Sequence, residues 1–436
     1  MSDKSNKLYK KAKKLIPGGV SLFSKRPENI LPKLWPTYFL KTKGVNVWDL
    51  NKRKYEDFFF SVGQNILGYN NKYVDRVVKK ICNSGTMSSL NCPEEVFLAE
   101  KLTEMHPWSD MVKFARTGGE ANSIAIRIAR AATGNDKVAI CGYHGWHDWY
   151  LSANLKNKDN LNVHLLKGLL IDGVPKSLKG TIFPFRYNNF EELENIVKKN
   201  NIGTIKMEVK REVEPNKGYL QKIRKLCNKR GIVLIFDECT SGFREAYGGL
   251  HKLYGVNPDI AIFGKALGNG YAITAILGKK EIMRSAQNSF ISSTFFSERI
   301  GPAAALETLK IMKKEKSWEQ VTCFGRQIKK SWKQLADTHS IKLNIAGIDA
   351  LPFFTFQNEK NNLSYKTLIT QEMLKENYLS TNLVYVSILH NNNRIQKYVD
   401  KLDKVFKKIK KCEHGENIKK YLSTQSCNPS FKRLTL

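Results

Sequence analysis

The sequence predicts an α/β fold built on a largely parallel β-sheet with helices on both faces. Three observations lead there. Short apolar, mostly β-branched runs recur at Val138–Cys141, Thr204–Met207, Ile232–Phe236, Asp259–Phe263 and Ala272–Leu277. Helical or loop segments separate them, and such alternation is the mark of a covered parallel sheet. Two of the runs are followed at once by polar groups, Asp237-Glu238 and Gly264-Lys265. Open α/β sheets bind ligands at that carboxyl edge.

Taken in order, residues 1–20 carry lysines but no apolar core of signal-peptide length before Pro17-Gly18-Gly19, which predicts a cytoplasmic protein. Arg116-Thr117-Gly118-Gly119-Glu120-Ala121 leads into a helix with Ala121, Ile124, Ala125, Ile128, Ala129 and Ala132 on one side, stopped by Gly134. The run Val138–Cys141 ends in Gly142-Tyr143-His144-Gly145-Trp146-His147. Leu220, Ile223, Leu226 and Cys227 sit at helical spacing, Gly231 stops that helix, and the buried strand Ile232–Phe236 follows. Last comes a helix over Arg394–Lys411, whose Ile395, Val399, Leu402, Phe406 and Ile409 form one apolar stripe and whose Lys407, Lys408, Lys410 and Lys411 suit its C-terminal dipole. It reads as a packing helix of a smaller terminal domain.

Composition excludes several classes. The 436 residues are 42% hydrophobic and 26% charged, near globular averages, so wholesale disorder is out. No apolar stretch approaches the roughly 20 residues of a membrane-spanning helix, so no membrane partner is expected. Eight scattered cysteines form no Cys-x-x-Cys pair and read as reduced thiols. The net charge of +32 lies largely at the ends: residues 1–54 hold 14 basic against 3 acidic groups, and residues 391–436 hold 12 against 4. Lysines outnumber arginines 56 to 16, whereas base readout and phosphate forks favour arginine. No specific nucleic-acid partner is expected, although the surface will attract polyanions at low salt.

The strongest chemical signal is the pair of strand ends. A carboxylate and a lysine there make either a structural ion pair or the two groups that pyridoxal 5'-phosphate needs, a Schiff-base lysine and an acid for the pyridinium nitrogen. The strand before Asp237-Glu238 also suggests a magnesium site, but no Gly-x-x-x-x-Gly-Lys-Ser/Thr occurs, which argues against a P-loop ATPase. Gly118 and Gly119 at a helix start offer free N–H groups to a phosphate, or make an ordinary loop. Tyr143 either stacks on a flat ring or packs in an aromatic turn. His144 and His147 lack a cluster of cysteines or acids around them, so they are expected to be structural imidazoles and no metal is expected.

Together, Thr117–Ala132, Gly142–Gly145, Ile232–Gly242 and Asp259–Gly270 resemble the class III pyridoxal-phosphate aminotransferases, especially glutamate-1-semialdehyde aminomutase and its aminotransferase relatives. The resemblance runs from Leu15-Ile16-Pro17-Gly18-Gly19 to about Val386. It implies a type I aminotransferase fold: an N-terminal segment at 1–60, a large cofactor-binding domain at 61–310, and a smaller domain completed by 311–436. It implies a homodimer with its active site at the subunit interface. It also implies that Lys265 forms the Schiff base, Asp237 pairs with the pyridinium, Tyr143 stacks on the ring, and Gly118 with Gly119 cradles the phosphate. Thr294, in Ser292-Ser293-Thr294-Phe295, matches the hydroxyl that reaches the phosphate of the other subunit. Glu208 stands where the family usually has Glu-Pro, although Val209 follows it here.

The implied reaction moves an amino group from an amino donor to a small carbonyl acceptor. An aminomutase, in which donor and acceptor are one molecule, is the alternative; an inactive basic binding protein on the same fold is a third. Departures from the aminomutase pattern favour the first. Where it has Asn-Ser-Pro-Val-Arg after Ile-Pro-Gly-Gly-Val, this chain has Ser21-Leu22-Phe23-Ser24-Lys25-Arg26, and Lys25 stands at the carboxylate-holding arginine. A lysine replaces a planar fork by a point charge. Where it has Ser-Trp-Gly-Pro, this chain has Ser61-Val62-Gly63-Gln64-Asn65, so Val62 replaces a pocket tryptophan and Gln64 and Asn65 bring polarity. A more open and polar pocket suits a larger or hydroxylated acceptor such as a sugar derivative; neutral drift at these positions is the competing explanation.

Overall fold

The computed structural model describes residues 4–164 and 168–428, and these divide into two compact units. One unit runs from Lys72 to Trp318; the other joins the chain before it to the chain from Glu319 onward. The sequence boundaries at 60/61 and 310/311 thus lie short of the divisions at 71/72 and 318/319. At the second of these, helix Ile300–Glu315 packs on Lys72–Ser84 and Pro93–Met105 and so stays with the first unit.

The Lys72–Trp318 unit is built on seven strands: β1 (Met111–Ala115), β2 (Val138–Cys141), β3 (Ile182–Pro184), β4 (Thr204–Met207), β5 (Val233–Glu238), β6 (Ile260–Phe263) and β7 (Thr274–Gly278). Their order across the sheet is β1-β7-β6-β5-β4-β2-β3. All pairings are parallel except those of β7, which runs antiparallel to both β1 and β6. The central strands are buried on both faces; Leu234, Ile235 and Phe236 are fully covered, each contributing roughly 1.5–3 kcal/mol by leaving water. Helix Tyr219–Arg230 ends, as expected, at Gly231, whose φ of 64° is the left-handed cap that glycine takes without strain.

One local expectation needs correcting. Asp237 and Glu238 do not follow β5 but complete it, paired with Ile262 and Phe263 of β6. In a strand consecutive side chains point to opposite faces, so the two carboxylates serve different surroundings.

In the other unit, Phe39–Lys43, Asn46–Asp49 and Lys54–Asp57 form an antiparallel sheet that Tyr378–Leu379 extends in parallel. Leu343–Ala346 pairs with Phe353–Phe356 beside it in the chain. Trp332, Phe354, Phe356, Tyr365 and Phe406 make an aromatic core. The terminal helix spans Asn392–Glu413, two residues longer at each end than its apolar stripe suggested. Its Lys407 and Lys408 therefore precede the last turn, where Lys407 pairs with Asp403 at 3.0 Å and Lys408 with Glu372 at 2.6 Å.

Candidate active site

Because β1, β2, β4, β5 and β6 run the same way, their carboxyl ends deliver Arg116–Gly119, Gly142–His144, Glu208, Asp237 and Lys265 to one sheet edge. Asp237 is 4% exposed and held on both oxygens. Its Oδ2 accepts from His144 Nδ1 at 2.8 Å and faces Lys206 Nζ at 3.9 Å, and its Oδ1 accepts from the Cys239 N–H at 3.1 Å. Burial alone would raise its pKa; the Lys206 ammonium and His144 outweigh that and hold the carboxyl below its ordinary value. Burial pushes the His144 imidazole down, so it serves as a neutral Nδ1–H donor to this carboxylate. The expectation of a hydrogen-bonded imidazole is thereby given its partner.

Glu238 points the other way. It is fully buried, accepts from Ser241 Oγ and the His251 N–H, and binds His251 Nδ1 at 2.6 Å. Trp108 donates to the far nitrogen of the same ring at 3.0 Å. Glu238 is thus enclosed by His251, Ser241 and Leu250 on that face, whereas Asp237 faces His144 and Lys206 on the other.

Lys265 follows Gly264 with φ of 40° and is half-buried in the short turn Lys265–Gly268. Its amine does not pair with Asp237; Nζ donates to Thr240 Oγ1 at 2.7 Å. Burial first, then the Arg211 guanidinium, lowers its pKa to about 8, so far more of it is neutral and nucleophilic near neutral pH than of an ordinary lysine. Thr240 went unnoticed in the sequence. Its signal is only its place, three residues beyond Asp237 in the loop that leaves β5.

Thr117 caps helix Gly118–Thr133 reciprocally with Glu120, leaving the N–H groups of Gly118 and Gly119 without intrahelical partners. A Cβ on Gly118 would lie 2.9 Å from Cys239 Sγ, and one on Gly119 would lie 2.9 Å from His147 Nε2. The cradle therefore admits only glycine without a shift of its walls. Tyr143 is partly buried beside it, edge-on to Tyr150 with ring centres 6.0 Å apart. Its N–H donates to Glu208 Oε2 at 3.2 Å, while Glu208 Oε1 accepts from Arg211 at 2.7 Å. Glu208 thus ties the β2 and β4 ends together at the sheet edge.

Thr294 lies on an exposed loop of the same unit, between Phe290 and Phe295, which are 89% and 64% exposed. Lys25, Arg26, Val62 and Gln64 belong to the other unit. There Lys25 Nζ reaches Ser61 Oγ at 3.4 Å, and the Arg26 guanidinium lies 5.5 Å from the Phe23 ring centre. Phe60, Ser61 and Val62 all have positive φ, of 42°, 52° and 62°. For a β-branched residue such as Val62 that is an outlier of the kind that clusters at functional sites.

A nucleophilic lysine, a carboxylate kept anionic, a glycine anion cradle and a flat aromatic at one edge fit pyridoxal phosphate in each of its parts. Comparison with known proteins agrees. Residues 33–376 match the class-III aminotransferase family. The chain is 37% identical over 378 residues to the 3-aminobutyryl-CoA aminotransferase of Cloacimonas acidaminovorans, covering 84% of this chain and 87% of that one. It is 35% identical over 317 residues to the glutamate-1-semialdehyde 2,1-aminomutase of Methanobrevibacter smithii, covering 70% and 72%. Its fold matches the FumI protein of Sphingopyxis sp. MTA144, solved in a pyridoxal-phosphate form, with a TM-score of 0.84 at 22% identity over 95% of this chain and 98% of that one. The chain belongs to the class-III aminotransferases, with their type I fold and their pyridoxal phosphate cofactor.

Proposed function

We propose that Lys265 carries the cofactor, Asp237 pairs with its ring nitrogen, Tyr143 stacks on its ring, and the N–H groups of Gly118 and Gly119 hold its phosphate. The observation that carries this reading is a lysine of lowered pKa and a carboxylate held anionic, at the ends of neighbouring parallel strands. When bound, pyridoxal phosphate supplies an electron sink for the charge left at the amine-bearing carbon. The chain's own residues do the rest. Lys265 Nζ takes the proton from that substrate carbon and returns one, acting as base and then acid. Thr240 Oγ1 steadies the amine between these steps. Asp237, fixed by His144 and the Cys239 N–H, keeps a negative charge where a ring N–H requires one.

The reaction in this reading is transfer between two molecules, and the amine substrate is a β-amino acyl thioester such as the one for which the 37%-identical relative is named. The net charge of +32 suits the phosphates of a coenzyme A carrier. Incubating the purified holoenzyme with 3-aminobutyryl-CoA and an α-keto acid should yield the 3-oxo thioester and the matching amino acid. A relative at 35% identity favours a second reading, the aminomutase. Efficient conversion of glutamate-1-semialdehyde without any added donor would establish it and overturn the first. Amino-sugar derivatives in the same assay test the polar-pocket reading of Val62, Gln64 and Asn65.

The working form in this reading is a cytoplasmic homodimer whose partner's Thr294 completes the phosphate site. The exposed Phe290 and Phe295 flanking Thr294 are apolar surface of the sort that subunit contacts cover. All eight cysteines are free thiols, four of them buried, as a reducing compartment allows. Sedimentation should give a dimer, and Thr294→Ala should weaken cofactor binding by about tenfold, the effect of one lost hydrogen bond to a charged group. A fully active monomer, or unchanged cofactor affinity, contradicts it.

A further inference from the structure

Lys206 lies in the middle of β4, and its side chain is fully buried. Its Nζ has no hydrogen-bond partner among the described residues and faces Asp237 Oδ2 at 3.9 Å. A buried ammonium is costly unless paired, so a lysine here in place of an apolar residue calls for a cause. Other titratable groups that bear on it are Glu208 at the end of its own strand, Cys239 beyond β5, and His144 beyond β2. On helix Gly118–Thr133, which packs over β4 and β5, the charged groups are engaged elsewhere. Glu120 binds the Thr117 N–H, Arg127 the Phe290 carbonyl and Arg130 the Asp136 carbonyl. Asp237 is therefore the counter-charge of Lys206.

We propose that Lys206 is a positioning residue that competes with the cofactor's ring nitrogen for the charge of Asp237, tuning how strongly that nitrogen holds its proton. This rests on the reading that Asp237 meets the ring nitrogen. His144 and the Cys239 N–H orient the carboxylate; Lys206 sets how much of its charge is left for the ring. Two cations at one carboxylate oppose each other, and each weakens the hold of the other. Cofactor loading therefore favours a neutral Lys206, whose pKa burial has already lowered to about 8. Removing the Lys206 charge leaves the whole carboxylate to the ring.

The test uses holoenzyme loaded with ring-15N pyridoxal phosphate. Lys206→Met and Lys206→Gln should both move the ring-nitrogen NMR signal towards the protonated value and tighten cofactor binding by about tenfold or more. Two neutral residues of different polarity giving one result identifies charge, not packing, as the cause; a merely structural lysine would loosen cofactor binding in both variants. In the wild-type chain, which needs no substitution, side-chain 15N lysine NMR should show one buried lysine whose pKa falls on cofactor loading. Asp237→Asn is the internal control. A ring signal that Asp237→Asn leaves unmoved removes Asp237 from the ring and overturns both readings. A signal moved by Asp237→Asn but not by either Lys206 variant, or a buried lysine indifferent to loading, overturns the role of Lys206 alone.

Discussion

Lys265→Ala lowers turnover by about 10^4-fold or more, the upper end of what a positioned proton-transfer group supplies, and removes the visible band of lysine-bound cofactor. The fold should survive. Lys265 is half-buried in a surface-edge turn and its ammonium makes one hydrogen bond, to Thr240. Losing that bond costs about 1 kcal/mol, well within the stability of a domain of this size. Lys206 is no substitute nucleophile, because its side chain is enclosed at the centre of β4. Borohydride reduction of the wild-type holoenzyme followed by peptide mapping should find the cofactor on the peptide containing Lys265. Turnover of the variant within about tenfold of wild type, or label on another lysine, ends the assignment.

Asp237→Asn is the second large effect, with a rate loss of about 100-fold or more and retention of some cofactor. The amide can accept a hydrogen bond but cannot supply the charge that keeps a ring nitrogen protonated. Stability should fall as well, because Lys206 loses the counter-charge that makes a buried ammonium tolerable; since it can release its proton instead, the loss reaches at most about 1.4 kcal/mol for each pH unit below about 8. The sign follows from linkage: the loss is greatest below pH about 8, where Lys206 would otherwise be charged and paired, and shrinks as pH rises through that value. Melting temperature measured from pH 6 to 9 reads it. A variant with near-normal rate places the essential carboxylate elsewhere.

Most of the large sheet could be read because its five inner strands obey one rule, full burial on both faces. Val138–Cys141 and Thr204–Met207 have the limits their apolar runs suggested, and Gly231 ends its helix where expected. β1 escaped notice because it is an edge strand, only half-buried over Met111–Lys113, and β3 because it is three residues long and ends in proline. The site was legible as far as each element carries its own signature: a lysine after a strand, a glycine pair before a helix. What the sequence does not display is pairing across elements. Nothing local distinguishes Asp237 from Glu238; the parity of β5 does, sending one towards His144 and Lys206 and the other towards His251. Lys206 itself reads as an interruption of an apolar run until its place beside Asp237 is seen. Thr240 is an ordinary loop hydroxyl until Lys265, in the turn after the next strand, reaches it.

The placement of β7 has a consequence for how the protein comes to be functional. β7 is the last strand of its sheet in the chain, yet it lies between β1 and β6. β1 leads into the glycine cradle and β6 leads to the lysine, and within the sheet these two strands are joined through a strand made after both. Thr274 at its start reaches the Thr117 carbonyl, 157 residues earlier in the sequence. Contacts of such long range form slowly, since the loop they close must lose its freedom before the contact can compensate. The parallel strands β2 to β6 can assemble during synthesis, with helix Gly118–Thr133 packed over β4 and β5, while β1 still lacks its neighbour in the sheet. The edge between cradle and lysine is therefore closed last, and an intact cofactor site testifies that the whole sheet has been completed.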